Sequence, residues 1–525
     1  MSLHRDSDAL VWEAVVEGYS WPQSVRQGET VNLHCSARCD SVRVTIRRIG
    51  ADSIVFLDRD GVTVPASPVP DQVWANGCDW PVTLAIDTDD SWAPGFYEVT
   101  FAAEDAPRGH ISRSHAFFII RPAVGARNQA RILLGLSTST YNAYNNWGGS
   151  CYYMNGATEV SFERPLARGF LARRDAPSVR VARVHEDFDR PQLIEYIAQE
   201  GISHLSLAGG WFNWERRFVT WAERAGYTVD LATSLDLHQD SDVLAAYRLF
   251  VSVGHDEYWS WEMRDRVEDF VAAGGNAAFF SGNTAYWQIR YSGPANGKMI
   301  CYKYRARELD PIASQSDQSR LTSIWSDTRI GRPENHLTGV SFTRGGYIRS
   351  GGGVRRGGGG YIVARGDHWA FDGTELRYGD SFGSRHFVAA YEADGCELTL
   401  ENGLPTATGA NGTPADFTVL ATSPAHLWSH TSGYSEFPPV VQIGDDDPGD
   451  LEYSSICLFG DASAENVAKI TNGNAVMGIF HRGGAVFTSG CTDWAYGLDA
   501  SWDPGLDGPD PDVDRITRNV LDRIG

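Results

Sequence analysis

Apolar and polar positions alternate in short runs through the first quarter of the chain: VWEAVVEGY (11–19), TVNLHCSA (30–37), SVRVTIRRI (41–49), SIVFLD (53–58), PVTLAID (81–87), GFYEVTFAAE (95–104) and SHAFFIIRP (114–122). A period of two places every second side chain on one face, the pattern of a strand buried on one side. Turn-rich pieces such as Arg26-Gln27-Gly28-Glu29 and Trp92-Ala93-Pro94-Gly95 separate the runs. About seven such strands with no helical period predict a β-sandwich over residues 1–122. Residues 121–125 (RPAVG) read as a linker.

Beyond residue 128 the period changes. ARILLGLS (130–137), YTVDLAT (227–233), YRLFVSVG (247–254) and NAAFFSG (276–282) read as buried strands. RPQLIEYIAQEG (190–201) and WEMRDRVEDFVAAGG (261–275) read as amphipathic helices. The second has Ser260 as N-cap, Glu262 near its positive end and Gly274 at its stop. Strands alternating with helices predict right-handed crossovers and a mostly parallel, doubly wound sheet. Residues 299–490 are mixed and β-rich, an insertion in a domain of residues 128–525. Within them GGGVRRGGGG (351–360) reads as a flexible loop and 395–416 as a surface excursion. VMGIFHRGGAVFTSG (476–490) predicts a hairpin turning at Gly483-Gly484, and residues 510–525 a closing helix. The fold class is thus multidomain, α/β plus all-β, with an N-terminal sandwich of immunoglobulin-like kind.

Charge narrows the partners. Against 67 Asp and Glu stand 45 Lys and Arg, a net charge of −22 that repels phosphate backbones and anionic lipid heads. Nucleic acid and membranes are therefore not expected partners. The eight cysteines form no C-x-x-C, and the single close pair, Cys35 and Cys39, lacks a second pair to complete a zinc site. The start shows no basic and apolar leader, and no 18 apolar residues run together, so a soluble cytoplasmic protein is expected.

Candidate chemistry concentrates in two segments. In FVSVGHDEYWS (250–260) a buried strand runs into Gly254-His255-Asp256-Glu257-Tyr258, the strand exit where open α/β folds place ligands. A nucleophile elbow carries Ser or Cys at such a turn; here there is neither, which leaves Glu257 with His255 two positions before it. In an extended backbone those two side chains share a face. The structural counter-reading is that Asp256 or Glu257 caps the helix that follows. Gly379-Asp380-Ser381-Phe382-Gly383 matches the elbow pattern, but SRHFVAAYEADG after it reads as a strand, not the helix an elbow needs. Gly293 to Met299 falls short of a phosphate loop. The second segment, STSTYNAYNNWGGSCYYMNG (137–156), holds Tyr141, Tyr144, Tyr152 and Tyr153. A phenol is usually a packing group. With a carboxylate, however, phenolate oxygens form a hard anionic donor set suited to a cation such as Fe(III).

The runs at 130–149 and 251–291, RGDHWAFDGTELRYGDSFG (365–383), SGCTDWAYGL (489–498) and ITRNVLDRI (516–524) together resemble the large (β) subunit of the N,N-dimethylformamidase family over roughly residues 128–525. The resemblance implies an α/β domain similar to class I glutamine amidotransferases without the nucleophilic Cys. It also implies one iron, as Fe(III), held by two tyrosines and a glutamate, and hydrolysis of a small amide to formate and an amine. By motif the ligands fall on Glu257, on Tyr144 with Tyr141 as alternative, and on Tyr153 with Tyr152 as alternative. The segment between the two tyrosines is shorter than in the formamidases. Asn283 in SGNTAYW matches a substrate-pocket asparagine, Glu392 in VAAYEADG an acid placed to act as base, and His255 stands beside the metal ligand. The expected function is iron-dependent cleavage of the C–N bond of a small neutral amide or formamide by a metal-activated water. The expected assembly is a homo-oligomer, with a separate small subunit possible. The competing expectation is a non-catalytic amidotransferase-like binding module carrying an adhesin-type sandwich. A hydrolase with paired carboxylates is a third reading, for which Asp187, Asp240 and Asp493 show no pairing in sequence.

Overall fold

In the computed structural model the protein is described at residues 14–104, 111–125, 130–173, 180–183, 197, 200–349, 358–429, 448–499, 501 and 506–525. Most of the expected helix at 190–201 and most of the glycine-rich loop at 351–360 lie outside the described residues. The chain divides into two compact units. The first comprises residues 1–175, 191–236 and 291–300; the second comprises 176–190, 237–290 and 301–525.

The first unit opens with eight strands: β1 (Val16–Trp21), β2 (Ser24–Arg26), β3 (Thr30–Ala37), β4 (Ser41–Ile49), β5 (Ser53–Thr63), β6 (Val82–Asp87), β7 (Gly95–Ala102) and β8 (Arg113–Arg121). Seven lie at the expected runs. The three-residue β2 is additional, pairing in parallel with β8 through Ser24↔Ile119. One sheet has the order β1-β3-β6 and the other β2-β8-β7-β4-β5. The alternation read from sequence is physical: along β3 and along β4 as far as Ile46 every second residue is buried. Val31, Leu33 and Cys35 from one sheet meet Val44, Ile46, Val99, Phe101 and Phe118 from the other in a single core. Burying each large aliphatic or aromatic side chain there contributes about 1.5 to 3 kcal/mol.

The sandwich is followed by β9 (Ile132–Leu136), α1 (Thr138–Tyr144), α2 (Glu215–Arg224) and β10 (Val229–Thr233). β9 and β10 pair in parallel, Ile132↔Val229 to Leu136↔Thr233, and both are buried along their whole length. Their continuous apolar runs are what a strand covered on both faces requires. Within the same unit Phe96 of β7 stacks on Trp211 at 3.9 Å, and Arg48 of β4 reaches Glu223 of α2 at 2.7 Å.

The second unit is built on β11 (Leu249–His255), β12 (Tyr258–Ser260), α3 (Trp261–Ala272), β13 (Asn276–Gly282), β14 (Ser341–Ile348), β15 (Tyr391–Gly395), β16 (Thr418–His426), β17 (Asn472–Arg482), β18 (Gly484–Thr488) and α4 (Pro511–Ile524). Strands neighbour one another in the order β11-β13-β18-β17-β16-β14-β15. The expectation of a mostly parallel sheet needs correction here. β11, β13 and β18 are parallel, but β17, β16, β14 and β15 add antiparallel. The cause is connectivity: α3 returns the chain for a parallel β13, whereas the tight turn at Gly483, where φ is +88°, permits only an antiparallel β17/β18 pair. Ser260 caps α3, its Oγ accepting the Met263 N–H at 3.3 Å, as expected. The 395–416 stretch is a hairpin of Leu398–Glu401 against Leu404–Ala407 with Leu400 exposed.

Ser381 of the elbow-like match is exposed on a two-residue strand and leads into a 3-10 turn at Ser384–His386. No elbow forms there, and the strand expected after it is limited to β15. Among the described residues no helix is long and apolar enough to cross a membrane.

Candidate functional site

β11 delivers the first group of side chains. Its seven residues are all buried, and Gly254 takes φ +82°, a left-handed conformation that favours glycine, just before His255, Asp256 and Glu257. Asp256 does not cap α3. Its Oδ2 accepts from Ser252 Oγ at 2.7 Å while Ser260 provides the cap, so the helix-capping reading of this acidic pair is displaced. Glu257 turns the other way, its Oε1 accepting the Trp287 indole N–H at 2.8 Å. Its Oε2 lies 3.3 Å from His255 Nε2, so the two side chains share a face as their spacing required.

β13 and β15 complete the group. His255 Nε2 stands 2.6 Å from Glu392 Oε2, and Asn283 Nδ2 donates to the same oxygen at 3.1 Å while lying 3.3 Å from His255 Nε2. His255, Glu257, Asn283 and Glu392 are exposed by 2%, 2%, 3% and 4%. Four polar side chains concentrated in so little solvent hold their charges and hydrogen bonds in a low effective dielectric, where each contact is stronger than in water. Asn283 Oδ1 is buried and has no hydrogen-bond donor among the described residues, which leaves an acceptor for a group the chain does not supply. The backbone is unusual at the same place: φ is +49° at Asn283, +52° at Ala285 and +64° at Tyr391. Left-handed non-glycine residues in one cluster are strain held by the surrounding fold, a common feature of functional sites. Gly282 is required by close approach, since a Cβ there would stand 2.6 Å from the Glu392 carbonyl oxygen.

Three neighbours were not legible in the sequence. Asp394, two positions beyond Glu392 on β15, accepts the backbone N–H groups of Asn283 at 2.9 Å and Thr284 at 3.0 Å. Burial pushes its carboxyl up to about 7, with Glu334 and Glu392 adding to the rise and the two N–H groups opposing it. Trp287 holds Glu257 as described. Lys303 is buried with its Nζ 4.9 Å from the Trp287 ring centre and 5.4 Å from that of Tyr304, a cation held over aromatic faces.

The four tyrosines of the aromatic segment separate into two kinds. Tyr141 donates its hydroxyl to Glu215 at 2.6 Å, and Tyr152 donates to the Met299 carbonyl at 2.7 Å. Tyr144, the last residue of α1, and Tyr153 instead stack on each other with ring centres 4.0 Å apart and planes at 16°. Arg164 braces the segment from below, donating to the carbonyls of Ser161 at 3.0 Å and Trp147 at 2.5 Å. Burial lowers its guanidinium to about 10.

Among the described residues no group of three or more His, Cys, Asp and Glu side chains is arranged to hold a metal ion. A donor set of phenols with one carboxylate is of a different kind. All eight cysteines are thiols, seven of them buried, and burial pushes Cys301, Cys396 and Cys491 up to about 12. Such thiols are poor nucleophiles and poor ligands.

Comparison with known proteins adds a family. The model of a family described as N,N-dimethylformamidase beta subunit-like, C-terminal, matches residues 44–508. The N,N-dimethylformamidase beta subunit of Paracoccus aminophilus is 23% identical over 474 residues, covering 85% of this chain and 54% of that protein. That of Alcaligenes sp is 22% identical over 477 residues, again 85% of this chain and 54% of the relative. The chain spans about half the length of the curated relatives it matches.

Proposed function

The chain belongs to the N,N-dimethylformamidase beta subunit-like family, and on that premise we propose that it is an iron-dependent hydrolase cleaving the C–N bond of a small neutral amide or formamide. The observation that carries this reading is the convergence of Glu392, His255 and Asn283 beside Glu257, with Asn283 Oδ1 a buried acceptor that has no donor among the described residues.

By the motif match, Tyr144, Tyr153 and Glu257 are the residues that would hold the iron. Tyr144 and Tyr153 are brought together with ring centres 4.0 Å apart, and phenol and carboxylate oxygens make a donor set suited to a hard cation. A bound Fe(III) would supply Lewis acidity toward a carbonyl and lower the pKa of water. The chain's own groups handle the protons. Glu392 takes a proton from the attacking water as its oxygen adds to the carbonyl carbon. Asn283 donates through Nδ2 to developing negative charge on the amide oxygen, the type of contact worth about 3 to 4 kcal/mol. Its Oδ1 accepts from the water or the departing N–H. His255, between Glu392 and Glu257, passes the proton to the nitrogen as the C–N bond breaks, leaving a carboxylic acid and an amine.

The finer description of the fold belongs to the same proposal. Two sheets sharing one core support an immunoglobulin-like sandwich, and a strand-to-helix turn without a thiol or hydroxyl supports an amidotransferase-like α/β domain that has lost its nucleophile. The relatives are named as beta subunits, and we extend that to this chain as association with further subunits, copies of itself or a small partner. The eight thiols suit a reducing compartment, the cytoplasm.

Elemental analysis, a visible spectrum and a screen of small formamides and amides for amine release test the proposal together. We expect iron at about one per chain, a charge-transfer colour from the phenolates, and loss of both in Glu257→Ala. A colourless, iron-free protein that releases no amine would overturn it and favour a binding module.

A further inference from the structure

Asn283 can serve Glu392 and His255 only from an unfavourable backbone conformation, and something must hold it there. Its φ of +49° lies in the left-handed region, which costs on the order of 1 kcal/mol or more for a residue with a side chain. Two positions further on, Ala285 is left-handed as well, at +52°. Two successive N–H groups, those of Asn283 and Thr284, point from this turn to one place, the two oxygens of Asp394, at 2.9 and 3.0 Å. A pair of consecutive amides converging on an anion is a nest, and the usual occupant is a ligand; here the protein provides its own carboxylate. Asp394 is 1% exposed, among the more costly places for an acid. It stands two residues from Glu392 on β15, so the strand that presents Glu392 to the Asn283 side chain also presents Asp394 to the Asn283 backbone.

We propose that Asp394 is the positioning residue of this site: by accepting both N–H groups it fixes the left-handed turn that aims the Asn283 amide at Glu392 and His255. The other anchors act beside the pair and not on it. The Ala285 N–H donates to the Asp256 carbonyl at 2.8 Å, which pins the residue after the two amides. The Thr284 hydroxyl meets Ser281 Oγ at 2.9 Å, and the Asn283 amide is itself the group being aimed. The carboxylate makes no substrate contact in this role. Its effect on turnover, which rests on the hydrolase reading above, passes through Asn283.

The test compares the iron-loaded wild-type chain with Asp394→Asn, Asn283→Ala and the double variant. An asparagine at 394 keeps the size but turns an N–H donor toward one of the two backbone donors. Hydrogen exchange at the Asn283 and Thr284 amides reads the turn directly, and we expect it to accelerate in Asp394→Asn while exchange in β11 and the iron content stay unchanged. On the most rapidly cleaved amide we expect kcat to fall about a hundredfold, the loss that follows a misplacement of roughly 1 Å, with little change in KM. The double variant should be no slower than Asn283→Ala alone. Additive losses, or unchanged exchange at the two amides, would overturn the proposal. A wild-type chain that releases no amine sinks the hydrolase reading instead, and the exchange comparison still decides whether Asp394 holds the turn. Should Asp394→Asn fail to fold, Asp394→Glu retains both acceptor oxygens one methylene further out, and the same exchange measurement applies.

Discussion

At the scale of the residue, the site depends on the donors that orient each carboxylate. Glu257 Oε1 accepts the indole N–H of Trp287. Replacing Trp287 with Phe keeps an aromatic ring and removes that donor, so the proposed iron ligand loses a hydrogen bond that orients it. We expect Trp287→Phe to weaken iron retention about 10- to 100-fold against a chelator, read by residual iron after dialysis. Asp394 gives a second prediction, on stability. Its folded carboxyl keeps its proton up to about 7 against an ordinary value of 3.8. Between those values the folded chain binds the proton and the unfolded chain does not, so this group's contribution is fully present below about pH 4 and is lost as pH rises through 7. The swing is a few kcal/mol, at about 1.4 kcal/mol per unit. The stability difference between wild type and Asp394→Asn, from urea midpoints at several pH values, should therefore shrink from pH 4.5 to pH 7.5; a constant difference would refute the assignment. His255, Glu257, Asn283 and Glu392 stood out in the sequence because motif and strand-exit position mark them. Asp394 did not, because its partners lie 111 and 110 positions away and only strand packing joins them.

At the scale of the element, the aromatic segment depends on one cation. Arg164 is buried and meets carbonyl oxygens, not an acid: Ser161, Trp147 and, with Asn142 Oδ1 at 3.3 Å, the end of α1. Removing it strands those acceptors, each at about 1 to 3 kcal/mol. We expect Arg164→Met, close in volume and free of donors, to lower stability by several kcal/mol in denaturant unfolding. Iron loading should suffer with it, since Tyr144 and Tyr153 belong to the braced segment. Element boundaries were largely legible. The alternation in 30–37 and 41–49 gives β3 and β4 to the residue, because one buried face leaves a period of two. Strand direction in the sheet of the second unit was legible at the β17/β18 hairpin, which turns at Gly483-Gly484 as its sequence marks, and not beyond it. β14 to β17 come from a stretch whose Gly-rich and irregular connections carry no helical period, and antiparallel addition is decided by which edge of β18 the chain returns to. The arginine brace was hidden too, since most of its partners are main-chain oxygens that no side-chain pattern records.

At the scale of the whole molecule, the net charge and the proposed neutral substrate together make a rate prediction. The net charge of −22 surrounds a site whose own groups include Glu257, Glu392 and Asp394. A field of that sign neither attracts nor repels an uncharged formamide, so salt has little to screen. An anionic amide of similar size is repelled on approach, and screening restores part of its encounter rate. At about 0.01 M ionic strength the field reaches roughly 30 Å and at 0.1 M roughly 10 Å. Raising salt across that range should leave kcat/KM for a neutral formamide within about twofold, while kcat/KM for an N-formyl amino acid rises several-fold from a much lower start. The comparison is internal to one protein, so it separates electrostatics from any effect of salt on folding or subunit association, which would move both substrates alike. A neutral substrate whose kcat/KM falls steeply with salt would mean a locally positive entrance, and would sink the account of a small uncharged amide selected by an acidic surface.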